Sequence, residues 1–138
     1  MGIDREFIRR LLGDMEEAMR IIGQQVSKPF EDLSRPERSE IKYYIIVLVE
    51  ALTTLALHIA RNAYGARPET PVQAFSVLRD RGLINRECFE ELVKLVRLRN
   101  LLVHRYWVIV DERIYEDARR DFKGVRRLME RVRVEYGL

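Results

Sequence analysis

A seam of aliphatic residues in the first half of the chain constrains the fold more than any other feature. Its members recur at spacings of 4-3-4-3-4: Ile41, Ile45, Leu48, Leu52, Leu55 and Ile59. That period is typical of one helix face packed against other helices. Ser34 and Glu37 have the spacing of a capping box just before the seam. We therefore predict a central, largely buried helix that begins near Ser34.

Similar apolar patterns predict helices on both sides of this central one. A first amphipathic helix has its inward residues between Ile3 and Ile22 and ends near Ser27. A short third helix is predicted through Arg81, because Thr70 can cap it and Pro71 suits its first turn. Both helices are amphipathic, as expected of elements that cover a core.

The last third of the chain predicts two more long helices. Asn85 caps the fourth, which runs toward Tyr106, and residues 107–110 form a connector. Asp111 caps a single fifth helix that extends to about Val132. The predicted fold is all-α: one domain over residues 1–138, an antiparallel bundle of four long helices and one short helix.

Composition excludes several classes of protein. A hydrophobic fraction of 47% with 34% charged residues in 138 residues indicates a globular domain with a real core. The one cysteine, Cys88, rules out an internal disulfide, and with only His58 and His104 beside it we expect no metal site. The net charge of +3 is too small to indicate a nucleic-acid binder by steering alone, although residues 79–106 carry seven basic and four acidic groups.

The chain shows no sign of a membrane or secreted protein. Its longest apolar run, residues 43–49, is far shorter than the roughly 20 residues of a membrane span. The N-terminal MGIDREFIRR lacks the apolar core of a secretory signal. We expect a cytoplasmic protein without membrane contact.

Polar residues interrupt the apolar face of the fourth helix in the segment LVRLRNLLVHRYWVIVDE. Arg99 lies on the inward seam, whereas Asn100 and His104 are four residues apart and share another face. On an ideal helix Arg99 and His104 are about 140° apart, so they flank one groove. Each has a plain structural alternative: an arginine paired with a carboxylate, an asparagine that caps a chain end, and a partly buried histidine. Together, however, they form a set suited to phosphate chemistry.

The segment "RNLLVH" followed by "RY" matches the R-x4-H-x-Y motif of the HEPN superfamily, with Arg99, His104 and Tyr106 at its defined positions. The chain resembles the HepT-like proteins of that superfamily, also known as the DUF86 family. "LVEALTTLALHIARNAYGARPETPVQAFSVLRDRGLI" resembles the family's central helix, loop and short helix. The resemblance is weakest over residues 1–40 and extends over nearly all the rest.

This resemblance implies a ribonuclease toxin of a toxin–antitoxin pair that acts without metal or other cofactor as a homodimer. The Arg99 and His104 pairs of two protomers would line one cleft, supported by Asn100, and the RNA 2′-OH would be the nucleophile. The implied partner is a minimal nucleotidyltransferase antitoxin, which in some systems attaches AMP to the tyrosine at the position of Tyr106. The alternative function is a helical partner of such an enzyme that binds nucleotide or RNA without cutting it.

Other polar and aromatic residues have simpler interpretations. His58 could reach the cleft, but a hydrogen-bonded histidine at the core or rim is the more common case. Tyr43 and Tyr44 suit packing with wetted hydroxyls, and Cys88 suits the core. The basic segment 119–127 could contact RNA, but it also contains acidic residues, and a solvated helix face is the simplest explanation.

Overall fold

The computed structural model describes residues 2–104 and 111–138, and within these ranges the regular structure is helical. The predicted all-α class is confirmed. The described residues form six α-helices, in this order: α1 (Arg5–Val26), α2 (Arg35–Asn62), α3 (Pro71–Asp80), α4 (Arg86–His104), α5 (Asp111–Ala118) and α6 (Lys123–Tyr136). A 3₁₀ turn, Phe30–Asp32, lies between α1 and α2.

Local capping signals explain where the first four helices begin. Asp4 accepts a hydrogen bond from the Phe7 N–H at the start of α1. Ser34 and Glu37 form the predicted capping box of α2, in which each side chain accepts from the other residue's backbone N–H. Thr70 caps α3 as predicted, and the Asn85 side chain accepts the Cys88 N–H at 2.8 Å. These signals lie within a few residues of the termini they stabilise, so they are visible in the sequence.

The seam of α2 is the centre of the core. All six seam residues are buried, and α2 contacts α1, α3, α4 and α5. The helices α1 and α2 are antiparallel, because Asp4 hydrogen-bonds His58 at one end of the pair and Gln25 hydrogen-bonds Glu40 at the other. Truncation of a fully buried seam residue such as Leu52 to alanine would cost about 2–5 kcal/mol. The prediction of a buried central helix is confirmed.

The structure divides the predicted fifth helix into α5 and α6. Asp121 and Phe122 adopt left-handed backbone conformations, with φ of 66° and 49°, and so interrupt the helix. The Arg126 side chain donates to the backbone oxygen of Asp121 at 3.0 Å and also to its carboxylate. The break lets Phe122 reach the core, where it is buried. The apolar spacing from Ile114 to Val132 suits a continuous helix, which is why the sequence pattern did not reveal the break.

Asp111 and Tyr115 hold α5 against the first half of the chain. Asp111 forms an ion pair with Lys42 of α2. The Tyr115 hydroxyl donates to the backbone oxygens of Val26 and Lys28, just where α1 ends. The segment that follows residues 105–110 is therefore anchored to α1 and α2.

By length and composition alone α2 could cross a membrane, and more than half of its most apolar stretch is buried inside the protein. The core helix of a bundle meets the same criterion. Several apolar residues of α2, including Tyr44, Ile46 and Val47, are only partly buried against the core, and Tyr43 is exposed.

Candidate functional site

The C-terminal half of α4 carries the polar residues singled out in the sequence. The cap at Asn85 begins the helix, Leu92, Leu95 and Val96 bury its inner face, and the helix ends at His104. Because the buried apolar residues fix the orientation of the helix, they also fix the positions of the polar residues between them. Arg99, Asn100 and His104 therefore lie within its last two turns.

Arg99 is the most enclosed of these side chains. Its side chain is only 19% exposed, and Nε lies 3.3 Å from Oε1 of Glu50 on α2, whose side chain is 57% exposed. Nε is buried and makes no hydrogen bond within the described residues, because its N–H does not point closely enough at that oxygen. The pair is thus held by the attraction of opposite charges. It agrees with the structural alternative that the sequence offered for Arg99, an arginine paired with a carboxylate.

Asn100 and His104 are both exposed. Their exposure agrees with the prediction that residues four apart share a face distinct from that of Arg99. Among the described residues no hydrogen bond is formed by either side chain. Tyr106, the third motif residue, lies outside the described residues, as does the predicted connector 107–110.

Exposed apolar side chains lie on α4 next to this polar group, and one more lies on α2. Leu101 and Val103 of α4 are exposed, as is Tyr43 of α2, whose ring packs edge-on against Tyr44 at 5.0 Å. Arg99 pairs with Glu50 near the middle of α2, and Asp111, the first residue of α5, pairs with Lys42 near the beginning of α2. Tyr43 therefore lies next to the residue that α5 contacts, and α4 passes α2 further along that helix.

His58 does not join this group. Its Nε2 accepts the Asp4 backbone N–H at 3.0 Å, and its Nδ1 lies 3.2 Å from the Asn62 amide nitrogen. It is eight residues beyond Glu50 on α2, a distance of about 12 Å along the helix axis. Burial lowers the pKa of His58, and the nearby Asp4 carboxylate opposes that shift. This is a structural histidine, in agreement with its simpler interpretation.

Cys88 and the basic segment 119–127 have the surroundings expected of residues with a structural role. Cys88 is buried, its thiol donates to the Gly124 carbonyl at 3.2 Å, and burial raises the pKa of the thiol to about 11. A high pKa keeps the thiol protonated and unreactive. In the basic segment, Arg119 and Arg126 form surface ion pairs with Glu116 and Asp121, as expected of a solvated face.

Glu50 is the residue of this region that sequence reasoning missed. It is the only Asp, Glu, Lys or Arg between Lys42 and Arg61. A lone charge in so apolar a segment is a usable signal, because a helix face with a single carboxylate indicates a specific partner. The partner itself could not be identified, since Arg99 is 49 residues further along the chain.

Several solved structures share this fold. A crystal structure of a toxin–antitoxin complex with AMP-PNP has a chain 18% identical to this one, covering 94% of this chain and 98% of that chain, with a TM-score of 0.83. A tri-AMPylated HEPN toxin from Shewanella oneidensis in complex with MNT antitoxin is 18% identical, with 93% and 97% covered and a TM-score of 0.84. YutE of Bacillus subtilis, a cytosolic protein of unknown function, is 17% identical, with 99% and 95% covered and a TM-score of 0.78.

Sequence comparison gives the family. No curated protein sequence matches the chain. The family model described as "Ribonuclease HepT-like" matches residues 11–132, a span that includes α2 to α5 and the whole of the motif from Arg99 to Tyr106. Because the match extends over most of the chain and agrees with the fold, this protein belongs to the HepT-like ribonuclease family.

Proposed function

We propose that this protein is an endoribonuclease toxin that cuts RNA without a metal ion, with Arg99 and His104 as its catalytic residues. The observation that carries the proposal is the position of these two side chains at one end of α4, in a chain of a ribonuclease family. Arg99 is fixed against α2, and His104 is exposed to a substrate. An arginine and a histidine supply charge stabilisation and proton transfer, the two needs of phosphodiester cleavage.

The reaction follows from the chemistry of RNA. The 2′-OH attacks the adjacent phosphorus, the P–O5′ bond breaks, and the products are a 2′,3′-cyclic phosphate and a 5′-hydroxyl. One His104 accepts the proton of the 2′-OH, and a second His104 donates a proton to the leaving 5′ oxygen. Arg99 donates hydrogen bonds to the non-bridging phosphoryl oxygens, where charge accumulates in the transition state. Asn100, on the same face as His104, supports the substrate or the imidazole.

A homodimer provides the two copies of each group. In a two-fold interface the same surface contributes from both protomers, so one arginine and one histidine become two of each. The exposed apolar residues Leu101 and Val103 support an interface at the end of α4, because such residues are more stable when covered. The cleft would then lie between two copies of α4.

A minimal nucleotidyltransferase antitoxin is the proposed partner, and Tyr106 the proposed acceptor of AMP. The support comes from the neighbouring structures, one of which is a tri-AMPylated HEPN toxin in complex with MNT antitoxin. We propose that the pair acts in the cytoplasm, where its RNA substrate lies; the YutE neighbour is a cytosolic protein.

A cleavage assay on a labelled RNA in EDTA tests this function. The wild type should cut and leave a cyclic phosphate end. His104→Ala should lose about 10²–10⁴-fold in rate with the fold intact, and Arg99→Ala should lose cleavage and bind RNA more weakly. His58→Gln, at the other histidine, should still cut. If His104→Ala cuts at the wild-type rate, or the wild type needs a divalent ion, the mechanism is wrong. If the wild type binds RNA or nucleotide but cuts no RNA, a non-cutting helical partner of the nucleotidyltransferase is the better function.

A further inference from the structure

Within residues 2–104 and 111–138, Glu50 is the one carboxylate that forms an ion pair with the proposed catalytic arginine, Arg99. It lies near the middle of α2, in the stretch between Lys42 and Arg61 that has no other charged residue. Its neighbours on the exposed side of α2 are apolar or neutral, including Val47 and Thr54. Nothing on α2 itself therefore pairs with this charge.

Its geometry relative to Arg99 is specific. Oε1 of Glu50 lies 3.3 Å from Nε of Arg99, and Nε is the atom that is buried without a hydrogen bond in the described part of the chain. A small rotation of the half-exposed carboxylate would complete that bond. A carboxylate at Nε leaves the other edge of the planar guanidinium, formed by Nη1 and Nη2, for a second anion.

We propose that Glu50 is a positioning residue, which holds the Nε side of Arg99 so that the Nη1–Nη2 edge faces the phosphate to be cut. This inference rests on the ribonuclease function proposed above. A phosphate engages that edge through two parallel hydrogen bonds. A guanidinium that is already in position before the reaction does not have to move as negative charge builds on the phosphoryl oxygens. This preorganisation is what raises the rate of cleavage.

Stability alone does not account for this residue. Ion pairs with a largely exposed partner contribute little to folding, because water screens the charge and the side chains lose entropy. Glu90 of α4 illustrates such a pair: its side chain is 56% exposed, and it lies 3.1 Å from Nε of Arg86. Glu50 resembles Glu90 in exposure, but the side chain of its arginine is only 19% exposed, whereas that of Arg86 is 87% exposed.

The proposal predicts opposite effects on RNA binding and on rate. A carboxylate near the cleft repels phosphate, so its removal should leave RNA binding unchanged or tighter. Removal also releases the guanidinium, and misplacement of about 1 Å at a reacting centre can cost about 10²-fold in rate. A residue with a purely structural role would not separate KM from kcat in this way.

The test compares Glu50→Leu, Glu50→Gln and the matched control Glu90→Leu in the cleavage assay, with RNA binding and thermal unfolding measured for each. Glu50→Leu should lower kcat by about 10²-fold without weakening RNA binding. Glu50→Gln keeps an oxygen that can accept from Nε, so it should recover most of the lost rate. Glu90→Leu should cut like the wild type.

The outcomes separate this inference from the function on which it rests. If the wild type cuts RNA and Arg99→Ala does not, the ribonuclease function stands. Wild-type kcat in Glu50→Leu would then overturn the positioning role alone, as would a loss of kcat that Glu50→Gln does not recover. A loss that is matched by Glu90→Leu or by unfolding would also overturn it. A wild type that cuts no RNA overturns both.

Discussion

Glu91 of α4 accepts a hydrogen bond at 3.1 Å from the backbone N–H of Val125, in the first turn of α6. The residue before α6, Phe122, provides no side-chain cap, so a carboxylate from another helix caps α6 and interacts favourably with its dipole. We expect Glu91→Ala to lower the free energy of unfolding by about 0.5–2 kcal/mol, measured by urea denaturation. Glu90→Ala, which removes only an exposed ion pair, should cost less; an equal loss in both would contradict the capping role.

Gly124 lies against the same carboxylate. A Cβ added there would be 2.5 Å from Oε2 of Glu91, so Gly124→Ala should push Glu91 away from Val125 and destabilise the protein. Within a helix this change normally stabilises by about 0.5–1 kcal/mol, as expected for Gly13→Ala, whose Cβ would meet nothing within 4 Å. In the Glu91→Ala background Gly124→Ala should no longer destabilise. Denaturation of the three variants and the double mutant checks this, and a destabilisation that persists in the double mutant would contradict the proposed clash.

His58 should make stability depend on pH. Burial, opposed by Asp4, lowers its pKa from 6.5, so the unfolded chain binds the proton more readily than the folded one. Stability is then fully present above the unfolded pKa and is lost as the pH falls through 6.5 toward the lowered folded value. Protonation also removes the acceptor of the Asp4 N–H. Urea midpoints between about pH 8 and 5.5 should fall more for the wild type than for His58→Gln; parallel curves would disprove the linkage.

Leu101 tests the proposed dimer. It is exposed beside Asn100 and His104, so Leu101→Glu should place two like charges at a two-fold interface, dissociate the dimer and abolish RNA cleavage. Val134→Glu offers the matched control, because Val134 is an exposed apolar residue of α6, away from the end of α4. Sedimentation at micromolar concentration should give a dimer for the wild type and the control. A monomeric wild type would count heavily against a composite cleft.

Tyr106 tests the proposed regulation. Co-expression with the cognate nucleotidyltransferase and ATP should add AMP units to the wild type, and none to Tyr106→Phe, because the phenolic oxygen is the acceptor. Intact-mass measurement of both proteins gives the answer, and Tyr43→Phe should be modified like the wild type. An unmodified wild type would restrict Tyr106 to substrate contact or packing, and inhibition by the antitoxin would then be steric.

The sequence predicts a structural feature well when the residues that determine it lie close together along the chain. Ser34, Thr70 and Asn85 cap helices that begin at the next residue. The apolar spacing within α2 is by itself enough to indicate that this helix is buried. The sequence therefore predicts these elements well. The break before α6 depends on Phe122 reaching the core and on Glu91, 34 residues before Val125. The candidate site divides in the same way: the motif spacing identified Arg99, Asn100 and His104, whereas the approach of Glu50 to Arg99 depends on how two helices pack.

The cap of α6 also has a consequence for the order in which the molecule assembles. The caps of α1 to α4 come from residues adjacent to each helix, so those helices can begin to form while the rest of the chain is still extended. The carboxylate that caps α6 comes from α4, and it is in place only after α4 has formed and the two helices have met. Since α4 also precedes α6 along the chain, it leaves the ribosome first. We therefore expect the C-terminal helix to consolidate last, on a partner that is already folded.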